Sequence, residues 1–192
     1  HNPILSKWVF AIGIQFHVIS TSEMQFHLQN NGGANAIILN SVGGGITTGI
    51  WYHLAVTYDG SSLASGVKFY RNGVLLGNAV PLSNNLTATI INSENVTIGS
   101  INAVGGLYSD ALFNVVRWWN VELTPTEILT QFNGGVPLSS AVQSANLILE
   151  SNSGNKATWN GSEFDIVDAT GITAGYQTVN SEQLDKIQDC PT

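Results

Sequence analysis

This chain has little charge. Only 10% of its 192 residues are charged, six of them basic and thirteen acidic, for a net charge of −7. Nucleic-acid affinity rests largely on Lys and Arg neutralising phosphates. Six unclustered cations argue against that class of partner, and equally against anionic membrane surfaces. Cysteine is scarcer still: Cys190 stands alone, so no intrachain disulfide forms, and a lone thiol is left free or for pairing between chains. No apolar run approaches the roughly 18 to 20 residues of a membrane-spanning helix. The longest candidates, such as WVFAIGI at 8–14, have the length of a strand.

What the chain does have is apolar and small polar residues. Hydrophobic residues make up 43%, enough for a sizeable core and against disorder. Polarity comes from Asn, Ser, Thr and the 20 Gly. Apolar segments rich in β-branched and aromatic residues recur between turn signals, the pattern of an all-β protein. Strands are predicted over 4–12, 14–20, 24–29, 36–41, 51–58, 67–72, 74–80, 86–91, 95–99, 112–119, 145–150 and 163–167. Punctuators include NNGG at 30–33, GGG at 43–45, DGSS at 59–62 and NG at 72–73. Asn72-Gly73, flanked by apolar alternation, is the preferred pair for a type I′ hairpin turn.

One segment breaks the strand rhythm. In LTPTEILTQFNGG, Thr124 reads as an N-cap, Pro125 as the first helical residue and Glu127 as the reciprocal partner of a capping box. The NGG that follows ends the helix after about two turns. At this length an all-β chain is expected to form one domain over 1–192, with 169–192 as a C-terminal tail.

In WYHLAVTYDG, residues 51–60, strand alternation puts Tyr52, Leu54, Val56 and Tyr58 on one face, expected to be the core face. Trp51, His53, Ala55 and Thr57 take the other. The four histidines, His1, His17, His27 and His53, show no metal-ligand spacing, and His17 and His27 alternate with Phe16 and Phe26 on their strands.

The order of motifs WYHLAVTYDG, VKFYRNGVLL, NVTIGS and ALFNVVRWWNVELTPTEI resembles the laminin-G-like, concanavalin A-like jelly-roll family. The match spans 51–132, and the family's opening strand is absent or lies upstream of His1. The segment from ANLILESNSG onward is similar to segments that accompany such domains in phage virion proteins and other surface proteins. The resemblance implies a two-sheet antiparallel jelly-roll sandwich with one short helix. It also implies binding groups at the sandwich rim, where some members hold Ca²⁺.

On that basis Asp59, Gly60, Asp110 and Trp118 are the candidate ligand-binding residues, and Asp59 and Asp110 the candidate Ca²⁺ ligands. The favoured reading of Asp59 and Asp110 is nonetheless that of turn residues, and of Trp118 that of a packing residue of a sandwich. Where the family pattern runs I-D-E-V-R, this chain has Phe113-Asn114-Val115-Val116-Arg117. The lost acids weaken the calcium inference, because Ca²⁺ needs several hard oxygen ligands.

The most enzyme-like string is EFDIVD at 163–168. It mimics the E-x-D-x-x-E strand of laminarinase-type glucanases on the same architecture. Glu163 and Asp165 share a strand face, but Asp168 falls on the other, and its DATG context is that of a turn. No catalytic residue is assigned.

The expected function is therefore non-enzymatic: a structural or adhesive lectin-like module on a virion, appendage or cell surface. The alternatives are a soluble, Ca²⁺-dependent lectin and, less favoured, a glucanase. The expected partners are a glycan or protein surface and further copies in a larger particle, with no nucleic acid, no membrane insertion and no required cofactor.

Overall fold

A computed structural model describes the chain except for residues 21, 44, 102–106, 153–157, 160–163, 167–175 and 178–192, and it describes only backbone from residue 152 onward. Contacts divide the chain into two compact units, His1–Ala111 and Leu112–Thr192.

In the first unit, β1 (Asn2–Val9), β2 (Ile12–Val18), β3 (Met24–Asn31) and β4 (Asn35–Asn40) form an antiparallel meander. β5 (Leu54–Tyr58), β6 (Val67–Arg71) and β7 (Val74–Leu75) form a second sheet. β8 (Val80–Asn84) and β9 (Thr97–Ile98) close the two ends of the first, giving the order β8-β4-β3-β2-β1-β9.

The core lies between these sheets. Phe16, Met24, Phe26, Leu28, Ile37 and Leu39 from the six-stranded sheet meet Val67 and Phe69 from the three-stranded one, with Ala64 and Leu86. These residues recur every second position along their strands, so each strand gives the core one face. Full burial of a side chain such as Met24 or Ile37 stabilises by roughly 1.5–3 kcal/mol, and both are completely enclosed. The all-β two-sheet sandwich read from sequence is the architecture present.

Four differences from the sequence reading bear on the two-sheet core. The first hairpin turns at Phe10-Ala11, inside the predicted strand 4–12, and Gly13 lies within β2. Gly13 is needed there because a Cβ would sit 1.9 Å from the Lys7 carbonyl oxygen. Residues 86–91 are not a strand. Their neighbours use side-chain amides instead of a ladder: Asn35 Oδ1 accepts from the Thr87 and Ala88 amides, each at 3.1 Å, and Asn85 Oδ1 accepts from Ala36 N at 2.9 Å. β8 contains Pro81 and is confined to a sheet end, where a missing N–H is tolerated. Finally, β5 begins at Leu54. Leu54, Val56 and Tyr58 pack on the core as expected, whereas Tyr52 lies beneath the Arg71 guanidinium, 6.0 Å from ring to Cζ.

In the second unit, β10 (Val115–Trp119) pairs antiparallel with β11 (Leu147–Asn152). Helix α1 (Pro125–Phe132) carries the predicted capping box, with Thr124 and Glu127 bonded reciprocally and Pro125 at the start. Asn133 in the left-handed conformation ends it. β12 (Thr158–Trp159), β13 (Phe164–Ile166) and β14 (Tyr176–Gln177) form a small three-stranded sheet.

Candidate functional site: rim residues and the polar sheet face

Asp59 follows β5 at the start of a loop. Its Oδ1 accepts from Ser61 N at 2.9 Å, an Asx turn, and Gly60 takes φ +79° beside it. Hydrogen bonds from Ser61, side chain before backbone, hold the Asp59 carboxyl below its usual range. Asp110 is exposed, and its backbone amide donates to Asn2 Oδ1 at 3.2 Å. Among the described residues, no group of three or more His, Cys, Asp or Glu is placed to hold a metal ion. Neither Asp59 nor Asp110 is therefore gathered into such a group.

Trp118 is half-buried and lies directly opposite the enclosed Leu149. A register shift separates it from Trp119, whose indole N–H donates to the Val142 carbonyl at 2.8 Å. Between them in role is Arg117, which was not among the predicted site residues. Its guanidinium bonds Gln131 Oε1 on α1 at 2.7 Å, the Leu138 carbonyl at 2.7 Å and Glu150 Oε1 on β11 at 3.2 Å. Those three bonds tie helix, loop and sheet into one unit. Glu163, Asp165 and Asp168 lie outside the residues whose side chains are described.

The feature that sequence reasoning missed is the second face of the six-stranded sheet. Register places Gln15 opposite His27, His17 opposite Gln25, and Gln25 opposite Asn40. Residues directly opposite share a face, so these side chains, with Ser6, Trp8 and Gln29, form a polar layer backing the apolar core. Gln25 organises it. Its Oε1 accepts from His17 Nε2 at 2.8 Å and from His27 Nε2 at 2.7 Å, while its Nε2 donates to Asn40 Oδ1 at 2.6 Å. His17 meets the rings of His1 and His27, each at 5.1 Å, and Trp8 meets His27 edge-on at 6.4 Å.

Burial is the leading cause that pushes both imidazoles down, His27 to about 4, which favours the neutral form of these two rings. Gln15, His17, Gln25 and Gln29 are buried; Trp8, His27 and Asn40 are half-buried, and His1 is exposed. The signal was present in the alternation IQFHV and MQFHLQ. Only the register showed that the two polar faces meet.

In class the protein is a two-sheet antiparallel β-sandwich with a polar layer on the second face of its six-stranded sheet. The chain belongs to the concanavalin A-like lectin/glucanases superfamily, whose family model matches residues 5–129. That superfamily holds both lectins and glucanases. No curated protein and no solved structure matches the chain.

Proposed function

We propose that the protein is a non-enzymatic adhesive or structural module of a virion, appendage or cell surface, attaching through a neutral glycan and assembling with further copies. The observation that carries this reading is the imidazole–amide layer around Gln25. Imidazole and amide groups donate and accept hydrogen bonds without a net charge, which matches the hydroxyls of a neutral sugar. Trp8 at its margin offers an aromatic face of the kind that stacks on sugar rings. A ligand would meet Trp8, His27, Asn40 and His1 first, since these are the less buried members. A chain poor in charge and rich in Asn, Ser, Thr and Gly also suits a location outside the cell or on a virion.

Recognition by this face requires no cofactor. A soluble Ca²⁺-dependent lectin acting through Asp59 and Asp110 is the competing reading. A glycan array run with Ca²⁺ and with EDTA separates them. The expected result is binding to neutral glycans under both conditions, weakened about tenfold or more by Trp8→Ala. An array with no neutral-glycan hit in either condition would sink the attachment reading.

A further inference from the structure

We propose that Phe10 is a contact finger that inserts into the apolar strip formed by residues 74–82 of a second copy of this chain, joining copies head to tail. The inference rests on the self-assembling part of the reading above and names the contact that assembly would use.

Phe10 and Ala11 make the two-residue turn between β1 and β2, both at positive φ, 41° and 65°. Such turns favour Asn-Gly, because a side chain with a bulky Cβ substituent is strained there. The same chain uses the favoured pair at its other two-residue turn, Asn72-Gly73, with φ 52° and 77°. An aromatic residue at position 10 therefore works against the turn. It returns nothing to the core either, being 94% exposed. Strain held at an exposed position points to a role outside the fold.

The tip is also pre-shaped. Asn92 Nδ2 donates to the Lys7 and Ile12 carbonyls on either side of the turn, at 3.3 and 3.0 Å. That brace places Ile91, 83% exposed, next to the hairpin. A braced tip loses little freedom on docking.

The acceptor is on the same chain. VLLGNAVPL, residues 74–82, carries no charge and exposes Val74, Leu75, Val80 and Leu82 along β7 and β8, the end strands of the two sheets. Pro81 lacks the N–H that an added strand would need, so the strip is suited to a side chain rather than to β-augmentation. A copy cannot fill its own strip. Val80 pairs with Asn40, at the end of β4 remote from the Asn35 end, where the β1–β2 tip lies, and β4 and β3 stand between β8 and β2. The contact is heterologous and leaves a free tip and a free strip at either end, the geometry of open arrays. Neither Phe10-Ala11 nor residues 74–82 carries a charged side chain, so these two segments bring no like charges together in a chain of net charge −7.

Sedimentation and light scattering on the full chain test it. The wild-type chain should associate with increasing concentration. Phe10→Asn should stay monomeric while melting at the same or a higher temperature, since Asn suits the turn. Leu75→Ser with Leu82→Ser should also stay monomeric. Mixing these two variants should yield one-to-one pairs, because each supplies the half that the other lacks. Association of Phe10→Asn equal to wild type, or mixtures that stay monomeric, would overturn the contact and leave the assembly reading standing. A wild-type chain that is monomeric at every concentration would overturn both.

Discussion

A Cβ added to Gly66 would sit 2.0 Å from Asp59 Oδ1. The carboxylate thus lies directly over a glycine and faces the backbone of its own loop, with Ser61 N donating to it at 2.9 Å. Gly66 is buried, and the added Cβ would also meet Ser61 Oγ at 2.7 Å, so both side chains would have to shift. Gly66→Ala should cost roughly 1–3 kcal/mol through overpacking, read as a lower denaturant midpoint. Asp59→Asn keeps the Asx turn and should leave the midpoint nearly unchanged. If Gly66→Ala melts as the wild type does, the loop is looser than this contact requires.

Calcium is the second test at the same loop. Anything that binds the native state alone raises its melting temperature by mass action. Among the described residues Asp59 and Asp110 have no third acid gathered with them. Millimolar Ca²⁺ should therefore give no melting shift and no heat on titration, and a saturable shift lost in Asp59→Ala would restore the rim site.

Arg117 and Glu150 form an ion pair with side chains only 6% and 11% exposed. Removing one partner takes its countercharge from a buried group. Arg117→Leu alone should cost about 3–5 kcal/mol, whereas Arg117→Leu with Glu150→Leu should recover much of the loss. Urea unfolding of the two variants measures the difference, and equal losses would mean that the pair is not the main contact.

The imidazoles of the polar face set an acid limit. Unfolded, both return towards the ordinary value of 6.5; folded, burial holds His27 at about 4 and lowers His17 as well. Below pH 6.5 the unfolded chain then binds more protons than the folded one, so stability falls as pH drops from about 6.5 towards 4. For His27 this amounts to about 3 kcal/mol at most. His27→Gln should lose less stability than wild type between pH 7 and pH 4.5 in guanidinium melts. Identical losses would show that His27 is not the group responsible.

At the helix, Thr124→Ala removes a hydroxyl that bonds Glu127 N at 3.3 Å and Glu127 Oε2 at 2.8 Å. The expected cost is about 1 kcal/mol, seen as a lower denaturant midpoint, with Thr124→Ser restoring most of it. A Thr124→Ser chain as weak as Thr124→Ala would point away from capping.

Local chemistry explains which elements were legible. The capping box, the Asn72-Gly73 turn and the alternation of Leu54, Val56 and Tyr58 each depend on residues close in sequence, and all three are found in place. The Phe10-Ala11 turn was not legible, because neither residue favours positive φ and the support comes from Asn92, some eighty positions away. The 86–91 run failed for a related reason, since Asn35 and Asn85 supply bonds that strand propensity does not anticipate.

The sequence by itself determined the class of the fold, the family and the apolar face of β5. Those follow from period-two patterning and from motifs read in order. Tertiary structure alone decided what the polar residues do. Gln15, His17, Gln25 and His27 alternate visibly with the core, yet only the β2–β3 register sets His17 and His27 around one amide oxygen. A one-residue slip would send each of those side chains to the opposite face. Asp59, the residue that local pattern favoured, proved to be bonded within its own loop. Pairing between strands is a long-range choice, and that is where the candidate site was made.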